Sequence, residues 1–188
     1  MRKQTLINIL VAISAVGSAS AYANTDNYQN VFGFGLGYGS MTTKTEAQQA
    51  EDNDTVATEL YYRRMLANNY GVELGYKNAS EGFTSVFSPI SEVQNVTYSG
   101  PRVSGYASYP LGAGFEVYGK AGLTYYTTDY TLVKNSTSRD VKDSSLGGEA
   151  AAGMAWHYGH IGFSLEYNYA KDSNIDSPMV IFGTNLRF

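Results

Sequence analysis

From Val31 onward the chain alternates large apolar residues with small or polar ones at a period of two, the mark of strands whose two faces meet different surroundings. In Val31-Phe-Gly-Phe-Gly-Leu-Gly-Tyr-Gly39, one face holds Phe32, Phe34, Leu36 and Tyr38, and the other holds Gly33, Gly35, Gly37 and Gly39. A soluble strand rarely gives a whole face to glycine, which weakens strands and packs nothing. Inside a narrow barrel, the missing face leaves room for large side chains from opposite strands.

The next segments follow the same rule. Strands over 56–65 and 71–79 form a hairpin. The register that sets Arg63 against Glu73 and Glu59 against Lys77 also sets Tyr62 against Leu74 and Leu60 against Tyr76, sorting charged from apolar residues in one step. A fourth strand, roughly 96–109, turns at Tyr109-Pro-Leu-Gly112 into a fifth, roughly 115–126. There Glu116, Tyr118 and Lys120 oppose Phe115, Val117, Ala121, Leu123 and Tyr125. Pro101 can mark a bulge that flips the residues before it, and Arg102 is assigned to the charged face.

A sixth strand, about 148–157, meets a seventh, about 160–169, through a turn at Tyr158-Gly159. Met154, Trp156, Ile161, Phe163, Leu165 and Tyr167 then face away from Glu149, Ser164, Glu166 and Asn168. The eighth strand, from about Met179 to Phe188, carries Val180, Phe182, Leu186 and Phe188 on its apolar face, interrupted by Thr184.

Connections after odd strands are long (about 42–55, 78–95, 127–147 and 170–178), and those after even strands take a few residues. This is the plan of an outer-membrane barrel with short periplasmic turns and longer extracellular loops. The expected fold is therefore an all-β, eight-stranded antiparallel up-and-down transmembrane barrel. Ahead of it, Arg2 and Lys3, the apolar stretch Leu6 to Val16 and Ala21-Tyr22-Ala23 read as a secretory signal peptide cleaved after Ala23. The mature chain, 24–188, is one domain.

Without Arg2 and Lys3, eleven basic residues face seventeen acidic ones, a formal charge of −6, which argues against nucleic acid as a partner. With no cysteine, the exported chain must be held by hydrogen bonds and packing.

A lipocalin-like soluble barrel shares this period with its apolar face turned inward. Three features favour lipid on the apolar face. Tyrosines and Trp156 cluster near strand ends, where interfacial girdles sit. The other face balances Glu59, Glu73, Glu116, Glu149 and Glu166 against Arg63, Lys77, Arg102 and Lys120, with Arg187 a further candidate, as a closed interior requires. The sequence also stops on an aromatic residue within a strand. Arg64 falls on the apolar face beside a periplasmic turn, where a charge costs little.

Tyr70-Gly-Val-Glu-Leu-Gly-Tyr76, Tyr109-Pro-Leu-Gly112 followed by Val117-Tyr-Gly-Lys-Ala-Gly122, Leu165-Glu-Tyr167 and terminal Asn185-Leu-Arg-Phe188 together resemble the eight-stranded barrel family of outer-membrane proteins A and X. The resemblance implies a Gram-negative outer membrane and a lumen of ionic side chains, with Glu73 and Lys120 at matching inward positions. It also implies a terminal signal for the barrel-assembly machinery in Val180, Phe182, Leu186 and Phe188, from which Thr184 departs. The peptidoglycan-binding domain of some members is absent from this sequence.

Candidate chemistry is sparse. His157 and His160 are expected opposite one another on the lumen side of the periplasmic mouth, with no carboxylate near, a poor ligand set for a metal. No nucleophile with an oriented base is evident, so neither enzyme activity nor a cofactor is expected. The glycine series opens no helix and is not a nucleotide loop.

The loops are where recognition can reside. The first is acidic (Glu46, Glu51, Asp52, Asp54 against Lys44), the third mixes Lys134, Arg139, Asp140, Lys142 and Asp143, and the second carries Phe83, Phe87 and Ile90 around Pro89 as a candidate contact. The expected partners are outer-membrane lipid, the assembly machinery and a host or matrix ligand at the loops, with the barrel itself a monomer. The expected function is a surface protein acting in adhesion, resistance to host defences or envelope contacts. The alternatives are a narrow porin-like channel and a purely structural envelope role.

Overall fold

The computed structural model describes residues 28–44, 50–81, 93–134 and 137–188. The signal-peptide reading, and Phe83, Phe87 and Ile90 in the second loop, lie outside them. Eight strands follow in order: β1 (Asn30–Lys44), β2 (Ala50–Ala67), β3 (Tyr70–Glu81), β4 (Val93–Gly112), β5 (Phe115–Lys134), β6 (Thr137–Tyr158), β7 (Ile161–Lys171) and β8 (Ile175–Arg187). Each pairs antiparallel with its sequence neighbours, and β8 closes on β1. Phe188 lies one residue past β8, but its N–H and C=O both bond the backbone of Asn30 at 2.9 Å, so the last residue completes the closing seam.

Register fixes the tilt. From Leu36, partners run one way through Thr58 and Asn78 to Ser99 of β4, and the other way through Phe182, Leu165, Met154 and Val117 to Tyr109 of the same strand, ten residues further on. A closed sheet with that stagger has its strands inclined by roughly 35–45° to the barrel axis.

The β2–β3 hairpin has the expected register, with Arg63 opposite Glu73 and Glu59 opposite Lys77. Pro101 causes no flip: β4 partners β5 in the same register on both sides of it, and the irregularities fall between Gln94 and Thr97 and between Pro110 and Gly112. Arg102 is buried and Val103 exposed.

The turns differ in position from the sequence reading. The β4–β5 turn is Ala113-Gly114, reached through Gly112, and all three residues have positive φ. The β6–β7 turn is Gly159-His160, because Tyr158 partners Ile161, and Gly159 at φ +58° supplies the left-handed conformation it needs.

The largest difference lies at the opposite end. Much of the long connections expected after odd strands is strand, leaving 45–49, 82–92, 135–136 and 172–174 between elements. Beyond the lipid a polar ladder still pairs its backbone, although the apolar alternation that betrays a strand is gone. An outward row of Thr58, Asn78, Ser99, Thr127 and Ser144 marks that exit. Past Thr127, β5 runs to Lys134 alongside β6, about 23 Å of further strand.

The glycine face of β1 points inward, and the space above it goes to the flanking strands rather than to opposite ones. A Cβ on Gly35 would stand 2.8 Å from both Glu59 Cγ on β2 and Ile181 Cγ2 on β8. Gly105, on the lipid face, has nothing nearer than a carbonyl oxygen at 3.8 Å. In urea unfolding of the barrel in lipid vesicles, Gly35→Val is expected to lose about 1–3 kcal/mol by overpacking. Gly105→Val is expected to stay within about 0.5 kcal/mol of the parent.

Candidate functional site

Alternation delivers every second residue to the lumen, and the inward residues of neighbouring strands stack into three layers. The middle layer is ionic. β2 contributes Glu59 and Arg63, β3 Glu73 and Lys77, β4 Arg102, β5 Lys120, β6 Glu149 and β7 Glu166, all buried. Four carboxylates meet four cations, so the layer is neutral. Such balance is required because an uncompensated buried charge costs several kcal/mol.

Within it, Glu73 is a hub, receiving Arg63 at 2.6 Å, Arg102 at 2.7 Å and Lys120 at 3.1 Å. The Arg102 Nη2 approach is a charge contact without hydrogen-bond alignment. Arg102 also reaches Glu149 at 2.9 Å and Glu59 at 3.3 Å. Lys120 bridges to Glu166 at 2.8 Å. Lys77 contacts Glu149 at 3.1 Å, closer than its cross-strand neighbour Glu59 at 4.0 Å.

Some bonds span the whole lumen. Lys77 Nζ on β3 donates to Asn168 Oδ1 on β7 at 2.8 Å, and the hydroxyls of Tyr98 on β4 and Ser177 on β8 lie 3.2 Å apart. Each of these pairs joins strands half a circuit apart. Eight strands leave an interior just wide enough for side chains to fill, and these side chains meet in its middle.

Toward the extracellular end lies an apolar layer the sequence reading missed: Met41, Val96, Ile175, Met179 and Ile181 with Tyr98 and Tyr126, whose rings sit 5.1 Å apart. Toward the periplasm, Tyr106 packs with Tyr118, and Arg63 lies 3.5 Å above the Tyr106 ring. Glu116 belongs to this end rather than to the ionic hub. It accepts a bond from the Tyr106 hydroxyl at 2.8 Å and pairs with Arg187 at 3.1 Å. Inward parity on β8, opposite to that of Val180 and Phe182, is the signal that could have placed Met179 and Ile181 in the lumen.

The histidines do not face one another. His157 partners Gly162 and has a carboxylate beside it, Glu116 at 3.9 Å from Nδ1, whereas His160 sits in the turn, with Nδ1 2.9 Å from the Arg187 carbonyl and its ring against Tyr28. Among the described residues, no group of three or more His, Asp or Glu side chains could hold a metal.

The outer surface is apolar and aromatic. Val180, Phe182, Leu186 and Phe188 are exposed on it, and Phe182 stacks on Phe163, which stacks in turn on Trp156. Thr184 lies between Phe34 and Phe163 in register. Arg64, a charge on this face, is held at the periplasmic rim by Asn30 and Gln29, each at 2.6 Å.

Removing the hub carboxylate leaves three cations short of a partner. Glu73→Ala is expected to cost about 3–5 kcal/mol in vesicle unfolding. Adding Arg63→Met should recover part of that loss, with a coupling of about 0.5–3 kcal/mol, whereas strictly additive costs would contradict a shared network.

The model of the outer membrane protein β-barrel domain family matches residues 9–188. No curated protein sequence matches the chain. Among solved structures, the attachment invasion locus protein Ail of Yersinia pestis is similar at 15% identity and TM-score 0.59, covering 86% of this chain and 99% of its own. Neisserial surface protein A is similar at 10% and 0.65, covering 85% and 97%. OprG from Pseudomonas aeruginosa is similar at 17% and 0.58, covering 86% and 97%. At such identities these likenesses speak for the fold. With the family match spanning nearly the whole sequence, the chain belongs to the outer membrane protein β-barrel family and is an outer-membrane protein.

Proposed function

We propose that this chain is a non-enzymatic surface protein of the Gram-negative outer membrane whose extracellular end makes its contacts, in adhesion, in resistance to host defences or with other envelope components. The observation that carries this reading is the set of bonds across the lumen, Lys77 to Asn168 and Tyr98 to Ser177. A barrel whose interior is occupied by interlocked side chains is a rigid support, and its strands continue past the polar row Thr58 to Ser144 to lift the connecting segments above the lipid. Ail, a barrel of this fold, has been crystallised with the heparin analogue sucrose octasulfate, which makes a sulfated saccharide a reasonable first ligand to try. The terminal residues Val180, Phe182, Leu186 and Phe188 serve assembly in this reading, exposed as a stripe beside the closing seam.

A strain lacking the chain is expected to lose attachment to host cells or matrix, or survival in serum. Loss of detergent resistance alone would instead favour a structural role. Changing Phe83, Phe87 and Ile90 together to Ser is expected to reduce attachment while leaving barrel assembly intact, and unchanged attachment would remove the second loop from the account. In planar bilayers the purified barrel is expected to show no large, steady single-channel conductance. A stable open level would instead support the porin reading.

A further inference from the structure

β6 starts at Thr137, but its pairing with β7 starts only at Gly148, opposite Lys171. Among the described residues, 137–147 is therefore paired on its β5 side alone. The lower part of this edge is occupied by the 172–174 turn: Asn174 Nδ2 donates to Asp143 Oδ2 at 2.9 Å, and Gly147 lies against Asp172. From Thr137 to Lys142, beyond the polar row that marks the lipid boundary, the strand has no partner on this side among the described residues. Such an edge is a template for another strand.

The residues of that edge choose the partner. Arg139-Asp140-Val141-Lys142-Asp143 is complementary to itself read backwards. If two copies pair antiparallel about Val141, Arg139 stands opposite Asp143 and Asp140 opposite Lys142, each pair occurring twice by symmetry. Directly opposed residues of antiparallel strands lie on the same face, so the match holds for both faces. Slipping the register by one sets Arg139 against Lys142, or Asp140 against Asp143. Slipping by two sets Asp140 or Lys142 against itself. Only the Val141-centred register matches charges throughout. The existing contacts are exposed ones worth little and can yield to a new partner: Lys142 with Asp129 at 3.0 Å between side chains 68% and 47% exposed, and the Asp143 carboxylate, which accepts from Asn174 Nδ2 and the Ser144 N–H at 2.9 Å each.

Symmetry then decides where the second copy sits. Two barrels in one membrane share an outward direction, and a two-fold axis along the membrane normal preserves each strand's rise, so strands inclined by roughly 35–45° cannot become antiparallel that way. Antiparallel pairing needs an axis lying between two membranes that face each other. We propose that the Arg139–Asp143 edge of β6 pairs with the same edge of a second copy on an apposed cell, so that the chain holds cells of its own kind together while each barrel remains a monomer in its own membrane. The contact rests on the outer-membrane placement and the free edge, and is independent of any host ligand.

The test uses cells with short surface polysaccharide, in two differently coloured populations expressing the full chain. Folding of every variant is checked by the shift of unheated samples on gels. Wild-type cells are expected to form two-colour clumps that disperse as salt is raised. Cells carrying Arg139→Asp with Lys142→Asp, or Asp140→Lys with Asp143→Lys, should each fall to the level of cells lacking the chain, and mixing the two kinds should restore two-colour clumps.

Because the chain has no cysteine, Val141→Cys should, on mild oxidation, give disulfide-linked dimers joining differently tagged copies from the two populations. Either charge set clumping alone like wild type, mixing that restores nothing, or cross-links confined to copies from one population would overturn the proposal. If a double variant does not fold, Arg139→Asp and Asp143→Arg form the same test pair.

Discussion

Hydrocarbon offers a backbone amide no partner, and each unpaired group placed there costs several kcal/mol. A chain that crosses lipid by strands must therefore close its sheet. Closure here is complete to the final residue, since the backbone of Phe188 bonds Asn30 in both directions. The rest follows from closing with eight strands. The ring is too narrow for water to solvate every inward side chain, so the inward residues must satisfy one another. The glycine face of β1, the neutral ionic layer around Glu73 and Arg102, and the apolar layer around Tyr98 and Tyr126 are three answers to that demand.

Much of this was legible in the sequence because lipid and lumen impose opposite preferences on alternate residues. The β2–β3 register could be read from Glu59, Arg63, Glu73 and Lys77 alone, since one choice sorted both faces. The network those residues form was not legible in the same way. Cross-strand neighbours follow from register, but Lys77 with Asn168 spans the lumen and Arg102 with Glu149 reaches past an intervening strand, and such pairs emerge only once tilt and stagger are known. The cross-strand pair Glu59 and Lys77 is the looser contact, because Lys77 has better partners further off.

The misses have physical causes too. The strand extensions of β4, β5 and β6 look like loops in the sequence because polar residues above the membrane face water on both sides and lose the alternation. The histidines were misplaced because Tyr158-Gly159 satisfies the same turn rule as Gly159-His160, and moving the turn by one residue moves every pair. Parity gave the lumen face of Glu116, but parity does not give depth. Glu116 is the periplasmic partner of Arg187 and Tyr106.

The central claim is that the charged face is a dry, filled interior and the apolar face meets lipid. Three adjacent positions of β7 decide it. Single substitutions Phe163→Cys, Ser164→Cys and Leu165→Cys, in a chain with no other cysteine, can be read in vesicles by thiol labelling and by a probe that quenches from the acyl chains. The account expects lipid-borne quenching at 163 and 165, and at 164 neither quenching nor labelling by a water-soluble reagent until the barrel is unfolded. Rapid aqueous labelling at 164 would mean an open watery lumen, and lipid quenching at 164 with protection at 163 and 165 would mean the two faces are reversed.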